Sequence, residues 1–333
     1  MALEPMNRTR YEMSSENLRE VVVDLKGVEV TYHSKPSLQF KGGVRVKPAE
    51  YLTVLKDLDL VIREGEFVTI VGPSGCGKST LFRLILGSQF PTAGQVLVAG
   101  EEVKHVTPNT GIVYQRYSLF AHLTVLNNIA LGPLLIQTGP FESIVRSLLP
   151  RYRRVLNEAR KEGAKLLESV GLTVEDGNKF PHELSGGMQQ RVAIAQALIM
   201  KPKVLLMDEP FGALDHSTRE DMQLFILEQA QKHKLTVIFV THDLDEAVFL
   251  GTRVIGLSQY WTADQGEDQI GARIVTDRDI TAGLGISYPR PTSVVDSPAF
   301  RQIRRKVHED VLNPEHRQRI ADFDHDHADS TAL

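Results

Sequence analysis

Nine residues, GPSGCGKST (Gly72 to Thr80), constrain this chain more than any others. They follow the apolar run EFVTIV and precede STLFRLILG, which has helical spacing and is stopped by Gly87. Strand, glycine loop and helix in this order are the context that G-x-x-x-x-G-K-[ST] requires. Gly75 and Gly77 let the backbone aim its N–H groups at one point, where the helix start adds positive potential. With Gly72, Pro73, Ser74, Cys76 and Thr80 they form a cradle for phosphate groups. Lys78 is placed to reach β- and γ-phosphates, and Ser79 to offer its hydroxyl to Mg²⁺. A chain built around such a loop is expected to be α/β, with the loop at the carboxyl edge of a parallel sheet.

Three other strand ends carry suitable side chains. Asp208 closes KVLLMD, a continuous apolar run of the kind buried in a parallel sheet. It would project where such folds bind ligands and is suited to hold Mg²⁺, or simply to cap the next turn. Glu209 follows and points elsewhere, so the pair can divide metal binding from activation of a water. His242 stands just past TVIFV, between Thr241 and Asp243. Beside a phosphate site it suits a γ-phosphate contact, whereas alone it would be structural. Gln115 ends TGIVYQ; its amide is no general base, but it can ligate Mg²⁺ or orient water. The helical stretch STREDMQLFILEQAQKHK between KVLLMDEP and TVIFVTHD completes a β-α-β unit.

A second glycine-bearing helix start is different. HELSGGMQQRVAIAQAL presents Ser185, Gly186 and Gly187 as an anion site would, yet no acid, base or nucleophile stands beside them. An N-cap serine alone is compatible with it.

Composition narrows the class. The 333 residues carry a net charge of -4, which disfavours broad binding to a nucleic-acid backbone. The single cysteine, Cys76, excludes an internal disulfide and fits a reducing compartment. No apolar run approaches the roughly 18 residues that span a bilayer. The N-terminus lacks the apolar core of a secretory signal. Strand patterns occur at VVVDLKGVEVTY, VLKDLDLVI and QVLVAG, with an extended loop or hairpin after the first. A mostly helical stretch follows from about Tyr117 to Leu198, with SIVRSLLPRYRRVLNEARK interrupted by Pro150. After Gly256 the pattern weakens, and a helix is expected at SPAFRQIRRKVHEDVL.

Together these residues resemble the ATP-binding subunit of an ABC transporter. GPSGCGKST looks like Walker A, VLLMDE like Walker B with its glutamate, and LSGGMQQR like the signature. Ala213 to Asp215 look like the D-loop, THD like the H-switch and YQRYSLF like the Q-loop, all in the family's order. The wording of GEFVTIVGPSGCGKSTL and DEPFGALD, and the tail YPRPTSVVDSPAFRQIRRKV, is similar to the nitrate/sulfonate/taurine importer branch. Gln196 and Ala121 depart from the family's usual arginine and proline, and the segment from Gln137 to Gly163 is longer than usual.

The resemblance implies a P-loop NTPase fold: a RecA-like core, an antiparallel β-subdomain and an inserted α-helical subdomain over about 117–198. The implied organisation is a flexible 1–20, an ATPase domain at 21–258, a C-terminal extension at 259–323 and a flexible tail at 324–333. It implies ATP and Mg²⁺ as ligands, with Ser79, Gln115 and Asp208 on the metal and Lys78, Glu209 and His242 in catalysis. Leu184, Ser185, Gly186, Gly187 and Gln189 would face the nucleotide of a second subunit, most simply a second copy, with Asp215 across the seam. Adenine would stack on Tyr32, with Tyr51 as the alternative. Gln115 and the loop with Tyr117, Leu119 and Phe120 would meet a membrane permease, and a solute-binding protein would act at one remove. The chain would then sit at the cytoplasmic face of the cell membrane as a peripheral subunit and hold no nucleic acid.

Other members of the wider class would be an exporter subunit, a translation factor, or an ABC ATPase of DNA repair or chromosome maintenance. The last commonly carries coiled coils or zinc modules between Walker A and the signature, and no heptad array or cysteine pair stands there. A translation factor carries two cassettes. Arg151, Arg153, Arg154, Arg160 and Lys161 form a basic cluster that would suit a permease or anionic headgroups, or a solvated helix face.

Overall fold

Continuous apolar runs and alternating runs separate into two sheets. The computed structural model describes residues 19–33, 37–40, 44–47, 51–115, 118–138, 150–262, 271–286, 288–320 and 323–325. Expectations for residues 1–18, for Tyr117, for the insertion at 139–149 and for the tail past 325 lie outside the described residues.

In chain order the described strands are β1 (Val21–His33), β2 (Ser37–Phe40), β3 (Val44–Lys47), β4 (Tyr51–Arg63), β5 (Phe67–Val71), β6 (Ala93–Val98), β7 (Glu101–Glu102) and β8 (Thr110–Tyr114). They continue as β9 (Val204–Asp208), β10 (Thr236–Val240), β11 (Arg253–Ser258), β12 (Trp261–Thr262), β13 (Arg273–Asp279), β14 (Gln318–Arg319) and β15 (Asp324–His325). The α-helices are α1 (Lys78–Leu86), α2 (Val125–Thr138), α3 (Pro150–Ser169), α4 (Gly186–Leu198), α5 (His216–His233), α6 (Leu244–Leu250), α7 (Ile280–Leu284) and α8 (Pro298–Val307).

The larger sheet runs β15-β13-β11-β5-β10-β9-β8, and its five members from β11 to β8 are parallel. Its central strands are buried along their whole length, as a parallel sheet covered on both faces requires. The period of two sends alternate side chains to two cores. Phe67, Leu205, Met207, Val237 and Phe239 pack with α4, α5, α6 and α8 on one face. Val68, Ile70, Leu206, Ile238 and Val240 pack on the other with α1 and with the antiparallel sheet β4-β1-β6-β7.

The described part of α3 opens at Pro150, and the stretch before it, 139–149, lies outside the described residues. The sequence pattern weakens after a residue of the main sheet, Gly256. It lies inside β11, where a Cβ would come within 2.3 Å of Val311 Cγ2. The chain beyond 258 extends the same sheet, because β13 pairs antiparallel with β11. The buried Arg253 guanidinium fastens that pairing, donating to Asp277 at 2.6 and 2.5 Å and to the Val61 carbonyl at 2.7 Å. In the basic cluster, Arg154 pairs with Glu158 at 2.9 Å and Arg160 donates to Asn127 Oδ1 at 2.9 and 2.7 Å. Those two therefore already have partners within the helical segment.

Candidate nucleotide site

The parallel sheet delivers the site by putting the carboxyl ends of β5, β8, β9 and β10 along one edge. At the end of β5, Gly72 lies so close to β11 that a Cβ would meet the Leu257 carbonyl at 2.2 Å and Cys76 Sγ at 2.7 Å. Gly77 is the N-cap of α1 with φ of 110°, a conformation closed to other residues, and it offers no side-chain cap. Lys78 is buried within the loop, its ammonium donating to the carbonyls of Gly72 at 2.7 Å and Pro73 at 3.0 Å. Ser74, Gly75 and Ser79 are exposed, while Cys76 and Thr80 are buried. Burial pushes the Cys76 thiol up, against the pull of Lys78.

The opposite wall follows from strand register. Asp208 in β9 pairs with Val240 in β10 and with Tyr114 in β8, so Glu209, Thr241 and Gln115 leave the sheet at one level. Burial pushes the Asp208 carboxyl up and neighbouring Glu209 adds to this, while Lys78 and Arg83 pull it down. Glu209 turns out of the strand at φ of 44°, uncommon for a side chain with a Cβ. Its N–H donates to the Val240 carbonyl at 2.9 Å. Its carboxylate lies 3.4 Å from His242 Nδ1, a contact that neither residue announced from sequence. The Gln115 amide lies where a Cβ on Gly212 would be 3.0 Å away, so the glycine of DEPFGALD gives that amide room. Asp215 caps α5, accepting from the Thr218 N–H at 3.1 Å and the Ser217 hydroxyl at 3.0 Å. Those bonds, the Thr218 N–H foremost, hold its carboxyl down at about 2.

Thr241 and Glu246 form a polar link behind His242. The Thr241 hydroxyl donates to the buried Glu246 carboxylate at 2.5 Å, and Gln223 of α5 donates to its other oxygen at 3.1 Å. Sequence reasoning missed Glu246 because an acid in a helix's first turn reads as dipole complement alone.

The signature turn is built otherwise. Leu184 is buried, and exposed Ser185 caps α4 by accepting the Met188 N–H at 3.3 Å. Gly187 follows Gly186 into the helix and faces α5, where a Cβ would sit 2.8 Å from Thr218 Cγ2. Gln189 donates to the Leu184 carbonyl at 3.1 Å. Among the described residues, no hydrogen bond or ion pair joins residues 184–189 to the phosphate loop, Asp208, Glu209 or His242.

Both candidate stacking rings lie at the surface. Tyr32 is 42 % exposed, and its hydroxyl is held by the Gln89 amide at 2.8 Å. A cavity of about 410 Å³ beside Gly75 is lined by Tyr51, Thr53, Val54, Tyr260 and Arg317. Tyr51 is 71 % exposed, with the His33 ring edge-on to it at 4.7 Å. The oxygens at the loop edge (a serine hydroxyl, a glutamine amide and a carboxylate) are the donor types that Mg²⁺ takes. No helix among the described residues is long and apolar enough to cross a membrane.

Comparison with known proteins agrees with this geometry. Residues 55–212 match the family described as ABC transporter. The chain is 43 % identical over 261 residues to the bicarbonate transport ATP-binding protein CmpC of Synechococcus elongatus, covering 78 % of this chain and 35 % of CmpC. It is 38 % identical over 256 residues to the nitrate import ATP-binding protein NrtD of the same organism, covering 76 % of this chain and 82 % of NrtD. The chain thus spans about a third of the length of the first curated relatives it matches. Among solved structures, a dimeric post-hydrolysis state of the ATP-binding cassette MJ0796 bound to ADP and Pi is 30 % identical. Its TM-score is 0.55, over 78 % of this chain and 98 % of that one.

Proposed function

The chain belongs to the ABC transporter family, and from that membership we propose that it is the ATP-hydrolysing subunit of an importer for a small oxyanion. One observation carries the enzymatic half. The phosphate loop, Asp208 and the Glu209–His242 contact share one sheet edge, while among the described residues no hydrogen bond or ion pair joins the signature turn to them. Two copies then combine, each nucleotide lying between one chain's loop and Ser185, Gly186 and Gly187 of the other. Lys78 transfers its hydrogen bonds from the loop carbonyls to the β- and γ-phosphates. Glu209 orients water for attack at the γ-phosphorus and takes its proton as the bond to the β–γ bridging oxygen breaks. His242 holds both the Glu209 carboxylate and the γ-phosphate. Ser79, Gln115 and Asp208 would hold Mg²⁺, which neutralises phosphate charge when bound. Tyr51, on the cavity beside Gly75, stacks the base.

Similarity to CmpC and NrtD supports import over DNA repair, with bicarbonate or nitrate as the class of solute. Permease subunits would dock at Gln115 and Phe120, holding the chain at the cytoplasmic membrane face. Glu209→Gln should lower turnover by roughly 10²–10⁴ while trapping an ATP-bound dimer on size exclusion. Normal turnover by that variant would overturn the assignment. Reconstitution with permease and binding protein, screened for ATPase stimulation by nitrate, bicarbonate and taurine, tests the solute.

A further inference from the structure

His242 is carried at the start of a short helix, and residues beyond the cassette hold that helix at both ends. The ring of His242 is exposed, and Glu209 is its one polar contact among the described residues. Its position is therefore set by the backbone of α6, which begins two residues later with Asp243 as N-cap. Seven residues make fewer than two turns, too few to be stable without tertiary support. The last carbonyls of such a helix lack intrahelical donors.

Arg290 supplies the donors. Its Nη1 donates to the carbonyls of Val248 at 3.3 Å, Phe249 at 3.1 Å and Gly251 at 2.7 Å. Its Nη2 donates to the Thr281 hydroxyl at 3.3 Å. The side chain is only 3 % exposed, and its guanidinium lies 5.5 Å from the centre of the Tyr288 ring. A cation at a helix C-terminus opposes the helix dipole favourably. Burial pulls the Arg290 guanidinium down to about 10, which leaves it charged at neutral pH. At the other end, Arg304 of α8 lies 2.9 Å from Asp245 in the first turn of α6. Between these contacts, Phe300 and Ile303 of α8 enter the core that holds Leu244, Val248 and Phe249.

We propose that Arg290 and Arg304 are positioning residues that clamp α6 and so hold His242 against Glu209. The C-terminal segment is then part of the hydrolytic machinery rather than an appendage. This rests on the reading of Glu209 and His242 as the hydrolytic pair. Misplacing a reacting group by a fraction of its contact distance lowers the chemical step more than binding.

The test uses the full chain, with kcat and KM for ATP, nucleotide affinity and thermal midpoint measured for each variant. Arg290→Met should lower kcat roughly ten- to a hundredfold, with KM changed by less than about twofold. Arg290→Lys should fall between, since a compact ammonium keeps the charge but lacks the planar fork that reaches the carbonyls and the Thr281 hydroxyl together. Arg304→Ala breaks a half-exposed pair and should lower kcat about threefold with the midpoint unchanged. Arg305→Ala, which loses only a pair to Glu309 within the same exposed stretch, should leave kcat unchanged. In a His242→Ala background, Arg290→Met should lower kcat no further, which a general loss of fold would not reproduce. An unchanged kcat in Arg290→Met, or its full loss persisting without His242, would overturn the clamp. If Arg290→Met fails to fold, Arg304→Ala in both backgrounds decides. If Glu209→Gln and His242→Ala turn over normally, the underlying reading of the site has failed instead.

Discussion

Two helices in this chain begin at glycines, and they begin in opposite ways. At α1 the N-cap is Gly77, left-handed at φ of 110° and without a side chain to occupy the first-turn donors. At α4 the N-cap is Ser185, in ordinary extended geometry, and its hydroxyl takes one donor in a long 3.3 Å bond. Around α1 the sheet edge brings Lys78, Asp208, Glu209 and His242 from the same chain. Around α4 the neighbours are the apolar face of its own helix, with Ile194 and Ala195 fully buried, and Thr218 of α5. The same device, a helix N-terminus opened by glycine, thus stands once beside charged groups of its own chain and once without them. On the proposed reading, the second turn is the missing wall of the first in another copy.

Glycine substitution at each start tests that contrast most strongly. Gly77→Ala places a Cβ 2.6 Å from Leu55 Cδ2 in a backbone region that alanine avoids. It should destabilise the fold by about 1–3 kcal/mol and abolish nucleotide binding by the single chain. Urea unfolding and a fluorescent-nucleotide titration measure both. Unchanged binding would mean that the loop's left-handed turn is not what cradles phosphate. Gly187→Ala should destabilise less and leave single-chain binding intact. Its Cβ meets Thr218 Cγ2 at 2.8 Å, an overpacking that costs about 1–3 kcal/mol, against about 1 kcal/mol gained in helix propensity. Single-chain nucleotide affinity should stay as it was while turnover falls. Adding Thr218→Ala, which removes the crowding methyl, should restore much of the lost turnover. Smaller still, Ser185→Ala should cost about 1 kcal/mol of stability through the lost cap, with single-chain affinity intact. A loss of affinity in either signature variant would erase the distinction between the two helix starts.

How much of this was legible depends on how far apart the interacting residues lie in sequence. The phosphate loop is a local backbone device, so its spacing and flanks announce it. Asp208, Glu209, Gln115 and His242 were legible as strand ends, because continuous apolar runs imply a parallel sheet with one functional edge. The 3.4 Å contact between Glu209 and His242 needed the register of β9 against β10, which composition does not encode. The weakening of the pattern after Gly256 hid β13, and with it the way the C-terminal chain joins the main sheet. Tyr32 and Tyr51 both suit a stacking platform from sequence, and only the fold shows that Tyr51 lines the cavity beside Gly75. A ring position at the end of a long connection is decided by tertiary path, not by spacing.

Glu246 offers the finest test, because it lies between the two regions. It accepts from Thr241, next to His242, and from Gln223 of α5, the helix whose Thr218 packs on Gly187. Burial pushes its carboxyl above the ordinary value of 4.5, while the Thr241 and Gln223 bonds pull it down. The folded chain therefore keeps a proton at pH values where the unfolded chain has lost it. Its contribution to stability is full below 4.5 and is lost as pH rises through the elevated folded value. Glu246→Gln cannot titrate, and its amide nitrogen offers no acceptor to one of the two donors, so at low pH the variant should be the less stable. As pH rises, the wild type should lose ground to it in urea midpoint. Asp208 is also pushed up by burial but is common to both proteins, so the difference between them isolates Glu246. A difference that stays flat with pH would mean that Glu246 ionises as freely in the fold as outside it. The link between the hydrolytic edge and the signature side would then be a solvated contact rather than a buried one.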